Sequence, residues 1–322
     1  SSPQINITNG SYSNMVTDTV KSTESALKVY YFDVGQGDSI YMKFPNGEDV
    51  LIDAGDNSYG DDVVNYLKTL NVDDLEVVIS THPDADHSGG LDVVLQNFKV
   101  ESVYAPQVSH NTKTFMDFIK EVKNQGLKIN PIKAGLKLPF DGVDATFIAP
   151  IKEYGSDLND WSAVLRVSFG NTSFLFTGDA TVNSEKDMLD SRQNVSADVI
   201  KIGHHGANTS SSELFMKAVN PRYAIISAGD GNKYGHPKQE IMKRLNSMDI
   251  NIYRTDTQGT IIATSDGQKI DFSVSKNFYP INVETSGSPA ITTQISNPVT
   301  YKTDLNVSVD NPTPQQYGTI TL

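Results

Sequence analysis

One segment constrains this chain more than any other, because an apolar run ends directly in a cluster of acids and histidines. Residues 75–80 are mostly apolar, which is typical of a strand buried on both faces. The loop that follows carries His82, Asp84, Asp86 and His87. Leaving these groups together without a cation is costly. The loop therefore predicts two divalent ions, the first facing His82 and Asp84 and the second facing the other pair. The alternative is a solvated acidic turn with incidental histidines.

Three further apolar segments also end in an acid or a histidine. Asp179 follows the first, where a carboxylate is placed to bridge two metals. The adjacent His204 and His205 follow the second, and Asp53 follows the third. Since a lone histidine is usually structural, one member of the histidine pair is open to that interpretation. These segments strengthen the prediction of a metal site.

The order of predicted elements favours two mixed sheets packed face to face with helices outside. Apolar and alternating patterns indicate strands at residues 27–34, 39–44, 49–52, 75–80, 100–104, 145–149, 162–169, 173–177, 197–202, 223–227, 250–253, 260–264 and 269–274. Helical periodicity indicates helices at 61–70, from about 90, and at 112–125, 211–219 and 238–246. A hairpin is expected across Gly170 and Asn171.

The two ends of the chain differ from its centre. Residues 1–26 are rich in Ser, Thr and Asn, and we interpret them as a flexible leader left after removal of a signal peptide. This interpretation predicts a secreted or cell-surface bacterial protein. Residues 280–322 are rich in Thr, Ser, Asn, Val and Pro, which favours a linker and a partial β module; a disordered tail is the alternative. Further C-terminal surface domains would fit the first interpretation.

Composition narrows the classes of partner. The net charge of −13 weighs against a broad electrostatic grip on a polyanion, although bound cations would make a cleft less negative. No apolar run approaches the ~20 residues that a membrane-spanning helix needs, so no membrane insertion is expected. The chain has no cysteine, which excludes thiolate ligands and nucleophiles.

The order of these acids and histidines resembles the metallo-β-lactamase superfamily, whose common form has a histidine where Asp84 stands. Within that superfamily, several ordered motifs resemble the extracellular hydrolase domain of ComEC-type competence proteins. The motifs occupy residues 33–39, 81–90, 159–166, 203–206 and 234–237.

The resemblance implies an αββα sandwich over residues 27–279, of the α/β (α+β) class, with two divalent ions, zinc or manganese, between the sheets. Asp53 and Asp38 are expected behind the ligands, where Asp53 would orient the ligand loop. The metal ligands implied are His82, Asp84, Asp86, His87, Asp179 and a histidine of the His204-His205 pair.

One departure from the family concerns its middle histidine. No histidine lies between His110 and His204, and residues 159–162 occupy that region. The first ion would then be held weakly, or completed by water or substrate. Whether Asn159 ligates is left open by the resemblance.

The expected reaction is hydrolysis of a phosphodiester, with extracellular DNA as the first candidate substrate. Two ions ~3.5–4 Å apart would hold a hydroxide and clamp the displaced oxygens. The catalytic candidates are Asp86, Asn159, His236, and Lys201 or Lys233. The histidine and the lysine would stabilise the charge of the transition state or protonate a leaving group. The alternative for His236 is a structural role, in which it caps the next helix.

Two other functions compete with a nuclease. One is a cell-wall or small-molecule phosphoesterase, similar to superfamily members that remove phosphorylcholine from teichoic acids. The other is a non-catalytic surface binding module with structural metals. A β-lactamase is disfavoured by Asp84 and by the missing middle histidine.

Overall fold

The computed structural model describes residues 26–108 and 110–275. Its strands are β1 (Leu27–Tyr31), β2 (Ile40–Lys43), β3 (Asp49–Ile52), β4 (Asp74–Ile79), β5 (Lys99–Pro106), β6 (Ile129–Ile132), β7 (Asp144–Ala149), β8 (Val164–Phe169), β9 (Thr172–Phe176), β10 (Val199–Lys201), β11 (Tyr223–Ile226), β12 (Asn251–Arg254), β13 (Thr260–Ser265) and β14 (Ile270–Ser275). Its α-helices are α1 (Gly60–Thr69), α2 (Ala85–Ser88), α3 (Leu91–Asn97), α4 (Lys113–Asn124), α5 (Val182–Asp190), α6 (Glu213–Val219), α7 (Gln239–Ser247) and α8 (Thr255–Gln258).

The strands form two sheets. Eight strands make the first, in the order β14-β13-β1-β2-β3-β4-β5-β6, and six make the second, in the order β12-β11-β10-β9-β8-β7. The run from β3 to β6 is parallel, and so is the run from β9 to β12. Loops that leave the carboxyl ends of parallel strands are where α/β sheets bind ligands, so each sheet offers one such edge.

Three apolar clusters separate four layers. The central cluster joins the inner faces of both sheets, with Phe147 and Phe176 buried among side chains of β1 to β4. A second cluster lies under α1, α3 and α4, where Leu67 and Phe118 are fully buried. The third lies under α5, α6 and α7 and includes Met216. The predicted sandwich of two sheets with helices outside is confirmed.

Helix α4 shows how local sequence produces this packing. Thr112 caps its start by accepting a hydrogen bond from the Phe115 amide. Phe115, Phe118 and Val122 follow at helical spacing, and all three are buried against the first sheet. Replacing Phe118 with alanine would cost about 3–5 kcal/mol, because it would remove a fully buried aromatic side chain.

Four elements were not predicted: strand β6, helix α5 and the two short helices α2 and α8. Strand β6 contains Pro131, which cannot donate to a ladder, and the structure accommodates it at the edge of the first sheet. Helix α5 buries Ser184 and Glu185 beside Met188, so its sequence lacks an apolar stripe. Several predicted strands are also shorter in the structure; residues 197–202, for example, contribute only Val199–Lys201.

The predicted leader and the predicted C-terminal extension fall almost entirely outside the described residues. In the part of the chain that the structure covers, no helix has the length and apolar character needed to cross a membrane.

Candidate metal centre

The predicted ligands meet where loops from both sheets converge. The loop after β4 carries His82 and the turn of α2, which holds Asp86 and His87. Asp179 follows β9 in the second sheet, and His205 follows β10 beside it. Atoms of Asp86, His87, Asp179 and His205 lie within 4.8 Å of one another. The carboxyl ends of parallel strands therefore supply both halves of one site.

The buried histidines are all oriented by their Nδ1 atoms. Nδ1 of His82 lies 3.1 Å from Thr81 Oγ1, and Nδ1 of His87 lies 2.8 Å from Asp53 Oδ2. Nδ1 of His205 lies 2.9 Å from the Ser227 carbonyl oxygen. A neutral imidazole that donates from Nδ1 presents a lone pair on Nε2. Each ring is thus set up to ligate through Nε2.

The Nε2 atoms of His82 and His87 face acceptors with which they are not aligned for hydrogen bonding. His87 Nε2 lies 3.1 Å from Asp179 Oδ1, yet both atoms are buried without a hydrogen-bond partner, as is His82 Nε2. His82 Nε2 is 3.5 Å from Asp84 Oδ2. Ligand atoms placed around one tetrahedral ion at about 2.0–2.2 Å lie roughly 3.3–3.6 Å apart. The spacing and the orphaned atoms fit a shared cation.

Asp53 supports the ligand loop from below. Its Oδ1 accepts from the Thr81 amide at 2.8 Å, and its Oδ2 accepts from Thr81 Oγ1 at 2.6 Å and from His87. The side chain is fully buried. One carboxylate therefore fixes both the backbone before His82 and the ring of His87, which is the orienting place that the resemblance implied.

A second buried acid, Asp38, lies behind His205. Lys201 Nζ is 2.5 Å from Asp38 Oδ2, and Asp38 Oδ1 is 3.5 Å from His205 Nδ1. Lys201 is 0% exposed, and its Nζ also donates to the Gly178 carbonyl oxygen at 3.3 Å. The structure consequently places Lys201 beneath the site, out of reach of a substrate and unlike the catalytic contact that we expected.

The protein environment favours ionised carboxylates at the centre. Burial raises the pKa of Asp179, but the neighbouring His87 and His205 outweigh it and hold that pKa well below its usual range. Burial lowers the pKa of His205, but Asp179 and hydrogen bonds to Asp38 and Asp86 raise it to about 9. In the metal-free protein, protons on histidines thus take the place of cations.

The open side of the site is lined by half-exposed groups. The side chains of Asp84 and Asp86 are 38% and 35% exposed, whereas His82 and His87 are fully buried. Asp86 Oδ2 also lies 3.2 Å from His205 Nε2. A substrate would approach from the side of these two carboxylates.

The two adjacent histidines occupy different positions. His205 is buried and its Nε2 is 3.5 Å from Asp179 Oδ2. His204 is partly exposed, its Nδ1 lies 3.0 Å from Thr209 Oγ1, and its Nε2 is 3.7 Å from Asp179 Oδ2. Both residues have positive φ, a conformation that costs roughly 1 kcal/mol or more outside glycine. The geometry favours His205 as the ligand and leaves His204 at the rim.

Asn159 begins the segment that stands in the region of the missing histidine. It lies in a single 3₁₀ turn, and its Oδ1 is buried without a hydrogen-bond partner in residues 26–108 and 110–275. Three residues later, Ser162 Oγ accepts from the Asp179 amide at 3.1 Å. The segment therefore holds the backbone of Asp179 and keeps one uncommitted amide oxygen.

His236 lies at the rim of the same site. Its ring centre is 5.8 Å from that of His204 and 6.5 Å from that of His205, and its Nδ1 is 3.4 Å from Gln36 Nε2. It does not cap the next helix, because α7 begins after Lys238 without a side-chain cap. Burial and the nearby His205 lower the pKa of His236 to about 4.

The loop between β1 and β2 positions several of these groups. Gly37 permits close contact, since a Cβ there would lie 2.4 Å from the Asp86 carbonyl oxygen. The Asp38 amide donates to that same oxygen at 3.2 Å. Gln36 joins two rims of the site, because its Oε1 accepts from the Gly229 amide while its Nε2 reaches His236.

Sequence reasoning did not foresee the roles of Thr81, Ser162, Ser227 and Gln36. Thr81 and Ser162 lie inside quoted motifs, next to or near predicted ligands, so their proximity was available as a clue. Gln36 stands between two glycines, which is a pattern that allows a polar side chain to approach a site closely. The Ser227 contact uses a backbone carbonyl, which no residue type reveals.

Comparison with known proteins decides the family. The family model described as the metallo-beta-lactamase superfamily matches residues 32–230. The chain belongs to this superfamily. Two relatives are similar over most of this chain. ComE operon protein 3 of Bacillus subtilis is 31% identical over 251 residues, covering 73% of this chain and 32% of that protein. Competence protein ComA of Neisseria gonorrhoeae is 31% identical over 246 residues, 76% of this chain and 33% of that protein.

The predicted resemblance to competence proteins is thus confirmed. The chain spans about a third of the length of these relatives. Among solved structures, the metallo-beta-lactamase fold protein YhfI from Bacillus subtilis is 12% identical, with a TM-score of 0.49 over 73% of this chain and 98% of that one. CmlA, a diiron beta-hydroxylase from Streptomyces venezuelae, is 13% identical, with a TM-score of 0.47 over 71% of this chain and 52% of that one.

Proposed function

We propose that the chain is a metal-dependent phosphodiesterase that hydrolyses DNA outside the cell, using two divalent ions. The observation that carries the proposal is the set of buried rings with paired Nδ1 atoms, of which His82 and His87 present orphaned Nε2 atoms towards acidic groups. Structural packing alone would leave such atoms unsatisfied, at a cost of about 1–3 kcal/mol each. Ligation would remove that cost.

Charge supports a count of two ions. Five carboxylates belong to the centre and its support, while Lys201 is the one lysine buried among them in the described residues. Two divalent ions and the Lys201 ammonium would balance five negative charges. The carboxylates are those of Asp38, Asp53, Asp84, Asp86 and Asp179.

The proposed ligands divide into two sets, and the contacts of Asp179 are with the second. His82 and Asp84 form one set, joined by the 3.5 Å separation of Nε2 and Oδ2. Asp86 and His205 form the other with His87, and Asp179 directs Oδ1 towards His87 and Oδ2 towards His205. When bound, the ions would supply an activated water and electrophilic contacts to the phosphoryl oxygens.

The remaining chemistry belongs to residues at the rim. With its lowered pKa, His236 is neutral at pH 7. The Gln36 amide beside Nδ1 leaves the proton on Nε2, from which His236 can donate a hydrogen bond to the charge that develops on a leaving oxygen. The Oδ1 atom of Asn159 has no hydrogen-bond partner, and we propose that it completes the coordination of the first ion in place of the missing histidine.

DNA is the proposed substrate because the relatives named above are competence proteins. The same relationship supports a place at the cell envelope, where a secreted or surface-held nuclease would meet extracellular DNA. Asp84 replaces a nitrogen ligand by an oxygen ligand, and oxygen ligands shift preference from zinc towards manganese. We therefore propose manganese as the preferred ion.

The test is a plasmid-nicking assay with metal-free protein and a panel of added divalent ions. Nicking with Mn²⁺, and its loss in Asp179→Asn, is the expected result. Asp271→Asn is the matched control, because Asp271 is an exposed acid on β14 that pairs with Lys269. Hydrolysis of a phosphorylcholine ester without nicking would favour the cell-wall phosphoesterase instead. Metal binding without any hydrolysis would favour a binding module.

A further inference from the structure

An exposed aromatic ring lies beside the metal centre, outside the groups used above. Four large hydrophobic side chains are exposed in the described residues, and Tyr234 is the aromatic one among them, at 50% exposure. Its ring is stacked near His236, with centroids 5.6 Å apart and planes 21° apart. His236 in turn lies near His205. A row of rings therefore runs from the site to the surface.

The loop that carries Tyr234 is held in place by many polar contacts. Asn232 Oδ1 accepts from the amides of Tyr234 and His236 at 3.2 and 3.0 Å, and its Nδ2 donates to the His236 carbonyl oxygen at 2.6 Å. The Lys238 amide donates to the Gly206 carbonyl oxygen at 2.8 Å. The aromatic ring is consequently a positioned surface.

Close packing fixes the loop to the histidine segment. A Cβ on Gly206 would lie 2.6 Å from the Cβ of Pro237, so the two backbone segments are in contact at a position where only glycine fits. Gly206 directly follows His205, which contacts Asp86 and Asp179. The distance from Tyr234 to the ligands is therefore set by adjoining backbone.

A cation accompanies the ring. Lys233 Nζ lies over the ring of Tyr234, 5.1 Å from its centre, and Lys233 is exposed. A base that stacks on the ring would take the place of this ammonium, whose exposed side chain can turn to a neighbouring phosphate. Lys238 adds a second positive charge at this loop, because its Nζ donates to the Tyr234 carbonyl oxygen at 2.5 Å. An aromatic face with an adjacent ammonium is the combination that binds a nucleotide, because the base stacks and the phosphate is neutralised.

We infer that Tyr234 and Lys233 form a nucleotide subsite for single-stranded DNA, in which the Tyr234 ring stacks on a nucleobase near the cleaved phosphodiester and Lys233 contacts a neighbouring phosphate. The inference rests on the proposed function for the identity of the substrate. A base inside a duplex has both faces covered by its neighbours, so only an unpaired strand offers a face to Tyr234. The subsite thus favours single-stranded over double-stranded substrate, so plasmid nicking is expected to be slower than cleavage of an unpaired strand.

The rival explanation is that Tyr234 only shields the His236 ring from water. Leucine in place of tyrosine would still shield the ring, but it would not stack on a base. Phenylalanine would do both. The variants Tyr234→Phe and Tyr234→Leu therefore separate the two roles.

The first experiment measures binding without turnover. Fluorescence anisotropy of a short phosphorothioate-linked oligothymidylate is titrated with the metal-loaded full chain. Tyr234→Leu is expected to weaken binding about ten-fold, and Tyr234→Phe by less than about two-fold, with metal content unchanged in both. Equal binding by wild type and Tyr234→Leu would overturn the inference. Binding through Tyr234 without cleavage of unmodified DNA would instead count against the nuclease proposal.

The second experiment examines the cation. Lys233→Ser should lower the slope of log binding constant against log salt by about 0.7, the value for one phosphate contact on a single strand. Lys99→Ser is the matched control, because Lys99 is an exposed lysine at the start of β5, away from the carboxyl ends of the strands. An unchanged slope in Lys233→Ser would remove the lysine from the subsite.

Turnover provides a third comparison. Thymidine 5′-(p-nitrophenyl phosphate) and methyl p-nitrophenyl phosphate share a leaving group and differ in the nucleoside. Tyr234→Leu should lower kcat/KM about ten-fold for the nucleoside ester and leave the methyl ester nearly unchanged. Equal losses on both esters would show that Tyr234 acts through His236, as the shielding explanation requires.

Discussion

The buried ion pair of Lys201 and Asp38 allows a quantitative test of how the metal loops are held. Nζ and Oδ2 are 2.5 Å apart, and both side chains are almost completely excluded from water. Removing one member of such a pair typically costs 3–5 kcal/mol, because the other charge stays buried. In Lys201→Met the Asp38 carboxylate retains His205 at 3.5 Å and His87 at 3.9 Å. We therefore expect the lower end of that range, about 3 kcal/mol of unfolding free energy.

The second variant in this test removes the remaining charge. Asp38→Asn added to Lys201→Met leaves no uncompensated carboxylate, so most of the lost stability should return, to within about 1 kcal/mol of wild type. Unfolding by guanidinium chloride, followed by far-UV circular dichroism with saturating metal and again with chelator, measures both values. Lys269→Met is the matched control, since Lys269 pairs with Asp271 on the surface and should change little.

Two results would refute the reasoning. If Lys201→Met were as stable as the control, the ion pair would contribute nothing to the fold. If the double variant were less stable than Lys201→Met, an unpaired Asp38 carboxylate could not be the source of the loss. A loss of metal affinity in Lys201→Met, with the fold retained, would further show that Asp38 positions His205.

Four further predictions concern the metal centre and the chain around it. Asp179→Ala should abolish hydrolysis and reduce the bound metal to at most one ion per chain, as elemental analysis would show; two ions retained would contradict a bridging role. Hydrolysis with Mn²⁺ should at least equal that with Zn²⁺ in a matched titration, and activity confined to zinc would refute the argument from Asp84. In the metal-free protein the folded-state pKa of His205, about 9, exceeds its unfolded value of about 6.5, so this proton's contribution of about 3 kcal/mol is complete below pH 6.5 and is lost as pH rises through 9. Its melting temperature should therefore fall over that interval, and His205→Gln should weaken this dependence. Part of it should remain, since burial lowers the pKa of His87 but Asp179 and Asp38 outweigh it and raise that pKa as well. A chain ending at Asn277 should keep its metal and its turnover of a small phosphodiester, and loss of either would show that later residues help to build the site.

The layered fold could be predicted because its strands are strongly apolar and its helices are amphipathic. Helix α4 and strand β4 matched their patterns to within two residues at each end. Helix α5 did not, because its buried face uses the Glu185 carboxylate, which accepts from the amides of Ser211 and Ser212. A buried carboxylate that binds the backbone of a distant loop adds nothing to the apolar periodicity from which a helix is predicted.

The residue types of the site could also be predicted from the sequence, but the burial of each side chain could not. Lys201 stands three residues before His204 in the sequence, which is compatible with a catalytic cation. Only the three-dimensional packing shows that its side chain points below the ligands towards Asp38. Similarly, the difference between His204 and His205 depends on which ring reaches Ser227 and which reaches Thr209. Adjacent positions with left-handed backbone cannot be ranked from residue type.

The candidate metal centre draws its predicted ligands from two sheets that share no hydrogen-bonded strand pair among the described residues. His82 and His87 come from the first sheet, while Asp179 and His205 come from the second. Bound ions would therefore link the two sheets across their interface, and neither sheet alone would supply all the ligands of one ion. Tight metal uptake would then report that the two sheets have docked, so an early folding intermediate with one formed sheet would bind metal more weakly than the folded protein.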